Sequence, residues 1–346
     1  MAEKMTAAFF MGKEQLEIRK VDIPQIGPEK ALLKVKFAGI CGTDLHIFAG
    51  KHPRAKAPLI MGHEFSGEIT EINSLLRKDL KPGDRVVAEP LITCGECFAC
   101  KSGLGHVCVK LGFYGIDVDG AFAQYIKVAV DRLFKIPDYM DYDIAALIEP
   151  VAVAVHAVRL SSLKVADVVC VQGAGPIGLL TALVAKLSGA AQVFICEKQP
   201  FRLKLAEEFG LQTIDVNDQD PVEQISKLTN GRRADIVFEA AGFPATVLSA
   251  TKLCRVRGEV IIVALSKEPL PVDILSVAFN ELTLKGVRAY AVYDFEKAIR
   301  IIADSGLDFS KFISEPFALT DTLAAIKAAR EAKDVMRVLL DIEKEV

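Results

Sequence analysis

Residues 168–197, VVCVQGAGPIGLLTALVAKLSGAAQVFICE, leave the chain few folds to choose from. An apolar run breaks at a Gly-x-Gly-x-x-Gly turn and continues as a helical stretch, and a second apolar run ends on Glu197. That glycine spacing alone is a weak signal. Between a strand and a helix it acquires physical meaning. Gly173 permits the tight turn, Gly175 lets backbone approach a pyrophosphate, and Gly178 lets the helix pack closely on the strand. Pro176 and Ile177 open the helix, whose free N–H groups and positive dipole end suit phosphates. Glu197, nineteen residues beyond Gly178, is placed to accept hydrogen bonds from the adenosine ribose hydroxyls and to repel a 2′-phosphate. NAD is therefore favoured over NADP, with Lys198 and Arg202 close enough to offset that repulsion. Further strands are predicted at 212–216, 235–239, 259–264 and 282–287, with helical stretches between most of them. Such alternation builds a doubly wound, parallel six-stranded sheet, an α/β Rossmann coenzyme domain. The ends of its later strands add Val263, Ala264, Leu265, Val287 and Arg288 as candidate coenzyme contacts.

The first 150 or so residues have another texture. Short β-branched runs such as ALLKVKFAGI, SGEITEI and GDRVVAEP, punctuated by glycine and proline, predict an irregular, mostly β domain. Within it, Cys94, Cys97, Cys100 and Cys108 follow the spacing Cys-x2-Cys-x2-Cys-x7-Cys. One loop with that spacing can wrap four thiolates around Zn²⁺ and fill its coordination sphere, which makes the site structural. A disulfide reading depends on compartment. The start, MAEKMTAAFFMGKE, lacks the apolar core and cleavage site of a signal peptide. A cytoplasmic protein is expected, with its thiols reduced.

At 346 residues, half apolar and a quarter charged, the chain has material for two globular domains. A net charge of -3 with interspersed signs carries no nucleic-acid footprint. No apolar run reaches the roughly 18 residues a membrane helix needs. The expected partner is a small molecule, with neither nucleic acid nor membrane involved. After the coenzyme domain, YDFEKAIRIIADSG and TDTLAAIKAAREAKD predict helices and VMRVLLDI a strand that packs back on the first domain. The expected divisions are 1–152, 153–287 and 288–346.

A second donor set is scattered. CGTDLH holds Cys41, GHE holds His63 and Glu64, and IEP holds Glu149. Each is bland alone, although a carboxylate inside ALIEPVAVAV needs a partner if it is buried. Thiolate, imidazole and carboxylate are all zinc ligands, and three of them with one open position make a catalytic site.

CGTDLH, GHEFSGEI, GDRVVAEP, the four-cysteine loop, GAGPIG and ELTLKG occur together, in an order that resembles the zinc-dependent medium-chain dehydrogenases over nearly the whole chain. The resemblance implies a GroES-like catalytic domain built from both chain ends around a Rossmann domain, and a dimer or tetramer. It also implies two zinc ions per chain, one catalytic and one structural. Cys41, His63 and Glu149 would form the catalytic shell, which Glu64 can enter or leave, while Asp44 orients the liganding histidine. Thr43 and His46 match the family's proton relay. Glutamate at 149, where the ethanol-using enzymes carry cysteine, resembles the sorbitol, butanediol and threonine dehydrogenase branch. Its substrates are secondary alcohols, and a polyol, diol or sugar derivative is expected here. Threonine dehydrogenases carry histidine where this chain has Leu91, which counts against an amino alcohol. A non-catalytic NAD-binding relative, or a zinc-independent quinone reductase, would lack the catalytic ligands that this chain keeps.

Overall fold

The structure is a computed structural model that describes residues 3–266, 268–314 and 316–344. The chain divides into two compact units, Met1–Glu149 with Ala291–Val346, and Pro150–Tyr290.

In the second unit, six parallel strands lie in the order Gln212–Asp215, Gln192–Glu197, Val168–Gln172, Ala234–Glu239, Cys254–Ile262 and Thr283–Gly286. This is the doubly wound order, in which the direction of winding reverses between Val168–Gln172 and Ala234–Glu239. Every residue of those two central strands is buried. Helices cover both faces of such a sheet, so its strands read as continuous apolar runs without alternation. Cys170, Cys196 and Cys254 sit in this core as small apolar residues.

One strand differs from the expected 259–264. It starts earlier, at Cys254, and stops at Ile262. Arg255 and Arg257 hide its first half from a reading of apolar runs. Arg255 earns its place by reaching the buried Asp235, Nε to Oδ1 at 2.5 Å. Val263 and Ala264 lie just past the strand, and both N–H groups donate to the Glu239 carbonyl.

The first unit is mostly β, as its punctuated runs imply. A seven-stranded sheet centres on Lys30–Gly39, which pairs antiparallel with Glu64–Asn73, Tyr125–Ala129 and the C-terminal Leu339–Asp341. A three-stranded sheet and the short Leu91–Ile92/Gly112–Phe113 ladder complete it. The tail strand is shorter than VMRVLLDI predicts, because the backbone just before it makes isolated bonds, the Arg337 carbonyl accepting from the Ser314 N–H and the Val338 carbonyl from the Ile40 N–H. The register sets Gly39 opposite both Glu64 and Leu339. That crossing organises the site.

Candidate active site and metal centres

Cys41 follows the central strand directly and stands at the N-terminus of helix Gly42–Phe48. Asp44, in the helix's first turn and fully buried, accepts the Cys41 N–H at 2.8 Å through Oδ2 and the Gly62 N–H at 3.4 Å through Oδ1. One carboxylate thus ties together the two segments that carry Cys41 and His63. Its Oδ1 lies 3.8 Å from His63 Nδ1, which is buried and has no hydrogen-bond partner among the described residues. That is too long for a hydrogen bond but close enough for electrostatic orientation of the ring.

Cys41, His63 and Glu64 each bring a donor atom within 4.8 Å of the others. Glu149 is outside this group, but it is buried in the first turn of helix Ile148–Leu160 and its charge is felt at the Cys41 thiol. Desolvation pushes that thiol up, and the Arg337 guanidinium pulls it down. Burial likewise pushes the Asp44 carboxyl up, against the pull of His63.

Arg337 is the residue that sequence reasoning missed. It is 5 % exposed and ion-paired through Nη2 with Glu64 Oε2, a partner 273 positions away. The available signal was a lone arginine inside the apolar run VMRVLLDI, since a buried guanidinium must find an anion. Gly39 contributes by lacking a side chain, because a Cβ there would sit 2.5 Å from Glu64 Oε2. Cys41, Asp44 and Glu64 can all carry negative charge near Arg337, and Glu149 adds its own near Cys41. A divalent cation on the Cys41–His63–Glu64 donors fits that imbalance and their residue types. Thr43, half-buried, and His46, exposed, lie three residues apart on the same short helix and therefore on neighbouring faces of it.

The four-cysteine loop is a separate centre. Sγ–Sγ separations are 3.9 Å for Cys94–Cys100, 3.5 Å for Cys97–Cys100, 3.9 Å for Cys97–Cys108 and 3.4 Å for Cys108–Cys94. A disulfide needs about 2.05 Å. Tetrahedral Zn–S bonds of about 2.3 Å put the sulfurs roughly 3.8 Å apart. The observed spacing is that of a metal clip. Backbone N–H groups of Cys100 and Val109 pull the Cys97 thiol down to about 6, whereas desolvation pushes Cys100 up to about 12. Four clustered thiols cannot all ionise without a cation among them.

In the second unit the glycine loop is built as its spacing requires. Gly173 has φ 93°, and a Cβ on Gly178 would meet the Gly173 carbonyl oxygen at 1.9 Å. Gly175 precedes helix Pro176–Leu187, with Pro176 and Ile177 in its first turn. Glu197 is turned inward. Its Oε2 accepts the Ala174 N–H at 2.8 Å, and its Oε1 accepts those of Lys198 and Gln199 at 2.8 and 3.1 Å. Of roughly four lone-pair positions on a carboxylate, three are used, leaving room for a ribose hydroxyl. Arg202 Nη1 stands 3.8 Å from Glu197 Oε2, and Lys198 Nζ lies 5.8 Å from the Phe243 ring. Leu265 and Arg288 are exposed and Val287 is half-buried, its N–H bonded to the Ile262 carbonyl.

Residues 27–138 match the alcohol dehydrogenase GroES-like domain, and residues 176–304 match the zinc-binding dehydrogenase domain. The chain belongs to the zinc-binding alcohol dehydrogenase family. This dehydrogenase is 36 % identical over 339 residues to the sorbitol dehydrogenase of Bacillus subtilis strain 168, covering 96 % of this chain and 95 % of that one. It is 37 % identical over 300 residues to an L-threonine 3-dehydrogenase of Bacillus licheniformis, covering 85 % and 86 %. Among solved structures, a Sinorhizobium meliloti 1021 protein described as a zinc-binding dehydrogenase, bound to NADP, superposes with a TM-score of 0.92 at 33 % identity, covering 98 % and 99 %. The enzyme's two chain ends make one unit and its middle the other.

Proposed function

We propose that the enzyme oxidises a secondary alcohol of a polyol, diol or sugar derivative to a ketone, passing hydride to NAD and releasing one proton. The observation that carries this reading is the Cys41–His63–Glu64 donor cluster with the buried Glu149 carboxylate beside it. Cys41 and His63 would hold the catalytic zinc with a carboxylate, either Glu64 or Glu149, and the cysteine loop would hold a second, structural zinc. When bound, the metal would supply Lewis acidity that lowers a substrate hydroxyl's pKa, and NAD would supply the hydride acceptor.

The chain's own residues do the rest. Asp44 fixes the orientation of His63 through charge and the position of Cys41 through its N–H. Arg337 pairs with Glu64 and competes with a metal for that carboxylate, so that Glu149 and Glu64 can share one coordination position in turn. Thr43 passes the hydroxyl proton towards the His46 imidazole, whose exposure lets it reach solvent. Glu197 favours the unphosphorylated ribose of NAD. The enzyme would work in the cytoplasm.

Self-association is part of the proposal. Helix Ile274–Phe279 buries none of its residues: Ile274, Leu275 and Phe279 are 65, 67 and 81 % exposed. It lies next in sequence to Thr283–Gly286, the edge strand of the six-stranded sheet. An unpaired edge flanked by exposed apolar side chains suits pairing with a second copy. Phe279→Asp is expected to move the mass measured by light scattering towards the monomer; an unchanged mass would remove this face from the interface.

The test of function is reduced-coenzyme formation from sorbitol, butane-2,3-diol, sugar acids, sugar phosphates and L-threonine, with NAD and NADP supplied separately. Polyols or diols with NAD are expected to give the highest kcat/KM. The threonine-dehydrogenase relatives make L-threonine the rival substrate, and its dominance would replace this reading. On the same preparations, Glu149→Ala is expected to lose most of the catalytic zinc and turnover. Full activity with about two zinc per chain would leave Cys41, His63 and Glu64 as the complete protein shell.

A further inference from the structure

The first unit contains a cavity of about 640 Å³ whose lining includes none of the metal-donor residues. Its volume falls within the range of about 300–1,000 Å³ typical of small-molecule sites. Met5, Ile60, Leu91 and Ile126 give it a buried apolar floor. Its walls are tied together: the Gly120 N–H donates to the Ile60 carbonyl at 2.7 Å, and Asp119 Oδ1 accepts the Ile60 N–H at 3.0 Å. The space is preformed, which spares a ligand the cost of opening it.

The charged lining consists of Lys30, Lys127 and Arg132 against Asp119 and Asp131. Tyr114 is 7 % exposed, and its hydroxyl oxygen accepts the Ala129 N–H at 3.1 Å. That bond occupies a lone pair and leaves the hydroxyl proton to give. Burial pushes the phenol up, so the proton stays on it. Lys30 lines the same cavity, and its backbone is the register partner of Ala129, whose N–H the phenol oxygen accepts. The other charges of the lining are engaged. Arg132 Nη1 binds Glu89 at 2.5 Å and its Nη2 the Thr93 hydroxyl at 3.0 Å, Asp131 lies 3.5 Å from Arg132 Nε, and Lys127 Nζ donates to the Gln25 carbonyl at 3.2 Å. Among the described residues, Lys30 has no ion-pair partner and the Tyr114 hydroxyl proton no acceptor.

We propose that this cavity is a second ligand site, separate from the dehydrogenase centre, for a small monocarboxylate with an apolar body. The carboxylate accepts from the Tyr114 hydroxyl and the Lys30 ammonium, and the body lies on Met5, Ile60, Leu91 and Ile126.

The probe is 4-phenylbutyrate, titrated calorimetrically into the zinc-loaded enzyme with saturating NADH to fill the coenzyme site. Binding of about one molecule per chain is expected. Lys30→Met should weaken it roughly tenfold or more, in line with loss of a charged hydrogen bond. Val118→Trp, which fills the cavity from its lining, should abolish binding while turnover stays at the wild-type level. The uncharged 4-phenylbutyramide should bind at least about tenfold more weakly than the acid. No saturable heat, equal affinity for acid and amide, or wild-type binding by either variant would overturn the proposal.

Discussion

If the enzyme holds the two zinc ions proposed, Cys41→Ser is expected to lower kcat/KM at least about a thousandfold and to reduce zinc from about two per chain to about one. The thiolate is the firmest donor in its cluster, and a serine hydroxyl neither ionises near neutral pH nor matches the metal's preference for sulfur. His63 and a carboxylate shared between Glu64 and Glu149 would remain. Arg337 already competes for Glu64. Lewis-acid stabilisation is worth several kcal/mol, and each 1.36 kcal/mol is tenfold in rate. The fold should survive, because Asp44 bonds the backbone N–H of residue 41 and not its side chain. Zinc analysis and kinetics on one preparation decide the matter. Near-normal turnover, or the loss of both metals, would place the catalytic centre elsewhere.

Cys97→Ser should show the opposite pattern. The four sulfurs are spaced for a closed coordination sphere, and no position remains for a substrate. Structural zinc binds with about 10–16 kcal/mol in isolated finger peptides, but much of that offsets the entropy of ordering the loop. A net loss of ~2–4 kcal/mol would lower Tm by roughly 5–15 °C for a unit of this size. The enzyme that stays folded should keep kcat within about twofold, since the substituted residue touches no reacting atom. An unchanged Tm with abolished turnover would exchange the roles of the two metal sites.

The parts of this protein that its sequence determined are those whose chemistry is contiguous. The stretch 168–197 carries strand, glycine turn, helix and acidic terminus within thirty residues. Local sterics at Gly173 and Gly178 admit few other backbones, and the buried strands are apolar throughout because both their faces are covered. The cysteine loop is legible for the same reason, since four ligands within fifteen positions can meet around an ion without help from the rest of the chain. The early start of the strand at Cys254 was not legible, because Arg255 looks like a surface residue until Asp235 is beside it.

The arrangement around Cys41 was decided by tertiary structure alone. The motifs named Cys41, His63, Glu64 and Glu149 as donors, but a list has no distances. The antiparallel register sets Gly39 between Glu64 and Leu339, so the tail delivers Arg337 to the Glu64 carboxylate, and the missing Cβ of Gly39 leaves room for it. Which carboxylate stands with Cys41 and His63 therefore depends on an ion pair between residues 273 positions apart. The cavity beside Tyr114 and Lys30 depends likewise on the pairing of Lys30 with Ala129. Propensity and spacing act over a few residues, whereas the relative placement of side chains from distant strands is fixed only when the sheet that joins them closes.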